Sequence, residues 1–249
     1  MADNRMAQMI SAGKCPVQAA IGSGSPFVTK LISSLGFDSL LLDLQHGAFG
    51  IDRLYDMTLP LSPESLPMVR VPSYDPGLIE KVIDMGVQGI ICPDVRTPAQ
   101  AEGLVEACRW SRHGAVFTVA QIESVEGLEN IDEIAATPGL NALFPGPVDL
   151  ARAFGGNPKG LEYDDAPAAE RLLRIIDAGH SAGLAVTLPA SNGAQTRQVL
   201  EWGVDWLIVG PDHAWMAMAA RQALADTRGL IRERPRVTPG AATRIPPLS

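Results

Sequence analysis

A strict alternation of short apolar runs with longer segments of helical periodicity most constrains what this chain can fold into. The runs predict strands at 17–21, 39–44, 67–71, 88–92, 116–122, 141–145, 185–189 and 205–209. The intervening periodicity predicts helices at 25–35, 51–59, 76–85, 97–110, 125–136, 166–182, 193–202 and 213–226. Such alternation gives parallel strands with right-handed crossovers, in a doubly wound sheet or a closed barrel. Eight units in 249 residues favour one (β/α)8 barrel.

Two segments depart from this rhythm. Residues 146–166 form a long connection after the sixth strand, and long connections in compact domains usually carry function. Residues 232–249, rich in Pro, Arg and small residues, are predicted to be an extended tail of one domain that covers residues 1–249. We assign this tail no chemistry.

The composition excludes several classes of protein. A net charge of −8 disfavours binding to nucleic acid and to anionic lipid surfaces. The three cysteines lack metal-ligand spacing and indicate neither a disulfide framework nor a zinc site. The chain has no apolar signal region and no apolar run of membrane-spanning length, so we expect a cytoplasmic protein without a membrane partner.

In a (β/α)8 barrel the reactive groups lie where the strands end. The polar residues predicted there are Asp43, Gln45, His46, Arg70, Gln121, Glu123, Asp149, Asp212 and His213. Glu123 and Asp149 follow neighbouring strands, and two converging carboxylates suit a hard divalent ion such as Mg²⁺ or Mn²⁺. The alternative is a helix N-cap for Asp149 and a surface acid for Glu123.

His46 and Arg70 are the other candidates for catalysis. Asp43 precedes His46 by three residues, and a nearby carboxylate can fix an imidazole tautomer and raise its basicity. Histidines in such loops are also often without function. Arg70 interrupts an apolar strand, where a guanidinium needs either a substrate oxygen or a structural ion pair.

The chain has no lysine placed for Schiff-base chemistry. Lys14, Lys30, Lys81 and Lys159 all lie away from the predicted carboxyl ends of the strands. Dinucleotide, P-loop and serine-hydrolase motifs are also missing from the sequence. An aldolase on this scaffold would therefore need a metal ion.

Four sequence blocks resemble the HpcH/HpaI class II pyruvate aldolases. They are GFDSLLLDLQHGAFG (36–50), VRVPSYDPGLIEKVIDMGVQGIICPDV (69–95), QIESVEGLENIDEI (121–134) and FPGPVDLARAFG (144–155). The resemblance implies a barrel of the phosphoenolpyruvate/pyruvate type and a homo-oligomer, either a trimer or a hexamer. It also implies a divalent metal ion, with Mg²⁺, Mn²⁺ and Co²⁺ as the candidates.

The resemblance also implies roles for individual residues. His46 matches the general base, with Asp43 beside it and Asp84 as the acid that tunes it, and Arg70 matches the residue that stabilises the enolate oxygen. The matched metal ligands and pyruvate-binding positions are Glu123, Asp149, Gln121 and Val148.

The implied reaction is cleavage of a 4-hydroxy-2-oxo acid to pyruvate and an aldehyde, or the reverse condensation. The alternatives are a citrate-synthase-like condensing enzyme, an oxaloacetate decarboxylase on the same scaffold, and a barrel that binds an organic acid without catalysis.

The chain departs from the family pattern at two places. Gln45 stands where most members carry Glu. Between residues 107–114 and 116–123 the chain also lacks roughly two dozen residues that carry a PxGxRGxG signature in the family. Because that segment helps to shape the aldehyde pocket, we expect the pyruvate site to be retained and the second-substrate pocket to be reshaped.

Overall fold

Eight parallel strands close into a barrel in the computed structural model, which describes residues 4–109, 111–161 and 163–234. The strands are β1 Val17–Ile21, β2 Ser39–Asp43, β3 Leu66–Arg70, β4 Gly89–Cys92, β5 Phe117–Ile122, β6 Ala142–Pro145, β7 Ala185–Ala190 and β8 Trp206–Val209. They pair in chain order, and β8 pairs with β1. The predicted (β/α)8 fold is confirmed.

The described residues form eleven helices. They are α1 Arg5–Ser11, α2 Pro26–Ser33, α3 Ile51–Thr58, α4 Pro76–Ile83, α5 Pro98–Arg109, α6 Val125–Glu129, α7 Ile131–Ala135, α8 Pro147–Ala153, α9 Ala166–Ser181, α10 Gly193–Glu201 and α11 Asp212–Glu233. Because the strands are parallel, each connecting helix returns the chain to the start of the next strand.

Glycines end several of these helices, as their sequence pattern predicts. Gly86 has φ +85° and Gly203 has φ +87°, a left-handed backbone that ends the helix and turns the chain into the next strand.

The barrel interior is filled by large apolar side chains. Leu41, Met68, Phe117, Phe144 and Trp206 belong to one buried cluster. This packed core closes the middle of the barrel and leaves only the carboxyl end open for a site.

Helix α1, which the sequence reading did not predict, packs at the amino end of the barrel, where the strands begin. The side chain of Asn4 caps this helix, and its Nδ2 donates to the backbone oxygens of Gln88 and Ala115, both at 2.8 Å. Met6 joins the buried core cluster. The helix therefore covers the amino end of the barrel, and the predicted site lies at the opposite, carboxyl end.

Three other helical segments differ from the predicted pattern. The helix predicted at 125–136 is divided at Asn130 into α6 and α7, and the predicted long connection 146–166 contains the short helix α8. Helix α11 extends beyond the predicted end at residue 226. Residues 235–249 of the predicted tail lie outside the described residues.

The chain divides into two compact units. The first ends at His213 and contains the barrel, and the second begins at Ala214. In its described part the second unit consists of the remainder of α11 and one further residue. Among the described residues, no helix is both long and apolar enough to cross a membrane.

Candidate active site

A cavity of 570 Å³ opens at the carboxyl end of the barrel. Asp43, His46, Arg70, Gln121 and Asp149 all line it. Val148 and His213, which also come from the predicted site residues, line it as well. The structure therefore brings most of the predicted residues to one cavity.

Glu123 and Asp149 follow the neighbouring strands β5 and β6 at the carboxyl end of the barrel. Strands β5 and β6 are paired neighbours, with Ile122 opposite Pro145, so the two strands end side by side. Burial is the largest cause that raises the pKa of Glu123 to about 7, and the negative charge of Asp149 raises it further. A hydrogen bond from Gln121 acts in the opposite direction. The negative charge of Asp149 therefore acts directly on the Glu123 carboxylate.

Glu123 is held beneath the cavity lining. Its side chain accepts a hydrogen bond from Nε2 of Gln121, and the residue is only 7% exposed. A Cβ at Gly146 would lie 2.7 Å from Oε2 of Glu123, so a glycine at this position gives the carboxylate its space. Oε1 of Gln121 is buried and has no described hydrogen-bond partner.

Asp149 lies within the first turn of α8 and does not cap it. Gly146 is the N-cap residue and makes no side-chain capping bond. The alternative reading of Asp149 as an N-cap is therefore wrong. Its carboxylate accepts a hydrogen bond from Nη1 of Arg152 at 2.8 Å.

These oxygen atoms fit a hard divalent ion. Within residues 4–109, 111–161 and 163–234, no three His, Cys, Asp or Glu side chains gather to hold a metal. The carboxylates of Glu123 and Asp149 and the unpartnered amide oxygen of Gln121 are nevertheless all hard donors. Mg²⁺ binds through one or two carboxylates and keeps water or substrate oxygens as its other ligands.

Arg70 and Asp43 form a bidentate pair across β2 and β3. The register places the two residues side by side, with Nε of Arg70 donating to Oδ1 at 2.9 Å and Nη2 donating to Oδ2 at 2.5 Å. Burial would raise the pKa of Asp43, but the hydrogen bonds and charge of Arg70, with the backbone N–H groups of His46 and Gln45, lower it overall. Arg70 is thereby fixed in direction at the cavity wall.

His46 is exposed at the cavity mouth. Asp43 accepts hydrogen bonds from the backbone N–H groups of Gln45 and His46, at 3.1 and 3.3 Å. No hydrogen bond joins the Asp43 carboxylate to the His46 imidazole in the described structure. Asp43 therefore orders the loop that carries His46, instead of forming the expected carboxylate–imidazole pair.

Asp84, the acid expected to tune His46, lies away from the cavity. It follows the last residue of α4, and its backbone oxygen is 3.3 Å from Nε2 of His113. Both residues lie at the amino end of the barrel. The shortened connection 111–115 lies at the same end and does not line the cavity of its own chain.

Sequence reasoning missed Arg152, Leu161, Pro189, Ser191 and Pro211 as cavity residues. Arg152 could have been found, because it follows Asp149 by three residues and residues at that spacing meet on a helix. The others come from loops and strand ends without a sequence pattern of their own.

Reactive groups gathered at the carboxyl end of the strands are typical of the catalytic sites of such barrels. The fold and this site together define a (β/α)8-barrel enzyme. The chain belongs to the HpcH/HpaI aldolase/citrate lyase family, whose model matches residues 21–219. It is thus a member of an aldolase, or lyase, family.

Similar proteins cover nearly the whole chain. A hydroxypyruvate/pyruvate aldolase from Pseudomonas aeruginosa is 30% identical over 91% of this chain and 93% of its own length. The crystal structure of an HpcH/HpaI aldolase/citrate lyase family protein from Burkholderia cenocepacia J2315 has a TM-score of 0.82, with 27% identity over 90% of this chain and 99% of that one. The structure of the citrate synthase SbnG has a TM-score of 0.83 and 22% identity, and covers 91% of this chain and 98% of that one.

Proposed function

We propose that this protein is a metal-dependent aldolase that cleaves a 4-hydroxy-2-oxo acid to pyruvate and an aldehyde, or catalyses the reverse condensation. The observation that carries the proposal is the electrostatic interaction of Glu123 with Asp149, together with Gln121, whose amide nitrogen donates to Glu123 and whose buried oxygen has no described partner. The name of the Pseudomonas aeruginosa relative supports a pyruvate-type substrate.

Glu123 and Asp149 would hold the divalent ion, for which Mg²⁺, Mn²⁺ and Co²⁺ are the candidates. When bound, such an ion acts as a Lewis acid toward a 2-oxo acid and makes its neighbouring bonds easier to break. Gln121 and the backbone at Val148 would orient the pyruvate carboxylate, as the family resemblance implies.

His46 would move the proton in both directions of the reaction. In condensation, its imidazole takes a proton from the pyruvate methyl group, whose carbon then bonds to the aldehyde carbon. The aldehyde oxygen takes up a proton and becomes the C4 hydroxyl. In cleavage, His46 removes that hydroxyl proton, the C3–C4 bond breaks, and the pyruvate methyl group is protonated.

Arg70 would stabilise the negative oxygen of the pyruvate enolate. Its bidentate pair with Asp43 fixes the guanidinium before substrate binds, and fixed donors stabilise developing charge most effectively. This agrees with the structural ion pair as well as with the substrate-facing role, since one guanidinium can serve both.

We also propose a homo-oligomer, as a trimer or hexamer. Asp84 lies at the opposite end of the barrel from His46, so it could tune that histidine only in a neighbouring copy. Light scattering of the purified protein tests this, and a monomer at all concentrations would remove Asp84 from the proposed catalytic group.

The aldolase proposal is tested by metal-dependent exchange of the pyruvate methyl protons with deuterated water. We expect exchange in the protein supplied with Mn²⁺, and none after chelation or in Glu123→Ala and Asp149→Ala. Glu126→Ala, an exposed acid three residues after Glu123, is the matched control and should keep full exchange. Exchange that persists in metal-stripped Asp149→Ala would contradict the proposal.

The second candidate is a condensing enzyme or an oxaloacetate decarboxylase. It is favoured by the barrel fold shared with the citrate synthase SbnG. Release of pyruvate from 4-hydroxy-2-oxo acids, measured with and without chelator, separates the candidates. A protein that merely binds an organic acid would show neither pyruvate release nor methyl exchange.

A further inference from the structure

One side of the cavity has no part in the chemistry described above. It is formed by residues at the ends of β1, β7 and β8 and by the connection after α8, namely Gly22, Leu161, Pro189, Ser191, Gly210 and Pro211. We call these residues the neutral wall. Among the described residues that line the cavity, the only acids are Asp43 and Asp149, and neither belongs to this wall.

Arg152 stands at one edge of the neutral wall. Its guanidinium is 60% exposed, and in the described part of the chain a single hydrogen bond, from Nη1 to Asp149, engages it. Exposed ion pairs of this kind are weak. The remaining N–H groups of Arg152 are therefore free to bind a ligand oxygen in the cavity.

His213 stands at the other edge, beyond β8. Its Nδ1 is 3.4 Å from Oδ1 of Asp212, a residue that is only 1% exposed. Oδ1 of Asp212 accepts hydrogen bonds from the backbone N–H groups of Gly22 and His213, both at 2.8 Å. The imidazole is 58% exposed and packs against Gly22. The buried Asp212 thus fixes the backbone that carries His213, while Nε2 of His213 has no described hydrogen-bond partner.

We propose that Arg152 and His213 form a subsite for an anionic group, a carboxylate or a phosphate, on the aldehyde substrate. This rests on the proposed aldolase function, because the pyruvate half occupies the opposite side of the cavity. An aldehyde lying along the neutral wall would have a basic side chain at either edge to meet its anionic end. In a chain with a net charge of −8, an acid-free wall flanked by two basic groups selects for an anion.

Three two-carbon aldehydes that differ only in their far end test the subsite. Glyoxylate carries a carboxylate, glycolaldehyde phosphate carries a phosphate, and glycolaldehyde is neutral. With pyruvate and Mn²⁺, we expect kcat/KM for at least one anionic aldehyde to exceed that for glycolaldehyde about tenfold or more, the usual strength of a charge-assisted hydrogen bond.

Arg152→Gln and His213→Gln should each reduce this preference about fivefold or more, since each removes one charged or donating partner. Arg152→Lys retains the charge and should keep more of the preference than Arg152→Gln. The matched control is Arg96→Gln, because Arg96 is also a partly exposed arginine paired with an aspartate but does not line the cavity. It should keep the wild-type preference.

Calorimetric titration with glycolate and with inorganic phosphate provides a readout that needs no turnover. We expect one of these anions to bind in the presence of pyruvate, and to bind more weakly to Arg152→Gln than to Arg96→Gln. The anion that binds shows whether the subsite prefers a carboxylate or a phosphate.

Equal kcat/KM for all three aldehydes, or unchanged preference and anion binding in both cavity variants, would overturn the subsite. The methyl-exchange experiment keeps this failure apart from failure of the aldolase proposal. Exchange without an anionic preference removes only the subsite, whereas loss of both removes the function on which it rests.

Discussion

The two sides of the cavity differ in how firmly their polar groups are held. On the side of β2, β3, β5 and β6, Arg70 and Asp43 form a bidentate pair with side chains only 14% and 12% exposed. On the neutral wall, the flanking Arg152 and His213 are 60% and 58% exposed and each has one acidic neighbour.

This difference agrees with the two halves of an aldol reaction. A pyruvate enolate requires fixed charges at defined positions, because catalysis depends on donors that need no rearrangement. An aldehyde substrate needs only to be oriented, and adaptable side chains on a neutral surface are sufficient for that purpose. Within the cavity, the most firmly held pair, Arg70 and Asp43, lies on the side proposed for the enolate chemistry.

The strongest way to break this comparison is to remove the proposed base. His46→Ala should lower the rate of pyruvate methyl exchange by about a hundredfold or more, the usual contribution of a positioned base. His180→Ala, which changes an exposed histidine that does not line the cavity, should leave the rate unchanged. A rate or pH profile unaffected by His46→Ala would move the base elsewhere, and His213 would be the next candidate.

The electrostatic cost of burying the charged Glu123 carboxylate can be measured without substrate. The pKa of Glu123 is raised from 4.5 to about 7, so the stability associated with its protonated form is present below pH 4.5 and is lost as the pH rises through 7. In chelated protein at pH 8, Glu123→Gln should be more stable than wild type by on the order of 2 kcal/mol, and about equal at pH 4.5. Urea unfolding at the two pH values measures this difference.

Glu126→Gln is the control for that experiment, because Glu126 is exposed and its replacement should change the stability much less than Glu123→Gln does. Equal gains at pH 4.5 and pH 8 in Glu123→Gln would show that charge is not the cause.

Two glycines, one on each side of the cavity, should differ in their tolerance of an added methyl group. An added Cβ at Gly146 would lie 2.8 Å from Cβ of Glu123, whereas one at Gly22 would meet the movable ring of His213 at 3.0 Å. We expect Gly146→Ala to cost about 1–3 kcal/mol and Gly22→Ala less than about 1 kcal/mol. Denaturant unfolding of both variants checks this, and equal costs would contradict the difference in rigidity.

Much of the site could be predicted because strand ends are visible in the sequence. Asp43, Gln121 and Asp149 each follow an apolar run, and parallel strands bring their carboxyl ends to one edge. The partner of Asp43 could not be predicted in the same way. Only the register between β2 and β3 shows that its carboxylate meets Arg70 and leaves the His46 imidazole without that partner.

The position of Asp84 and of the connection 111–115 was missed, although the predicted order of elements implies it. Both lie between a helix and the next strand, and in a parallel barrel such connections lie at the amino end.

The sequence by itself determined the eight-unit barrel and the set of polar residues at its carboxyl end, because hydrophobic periodicity and strand endings are local properties. The tertiary structure alone decided the pairings, the buried state of Glu123 and the basic groups that flank the neutral wall. These depend on barrel closure and strand register, which bring residues far apart in the chain within a few ångströms of one another.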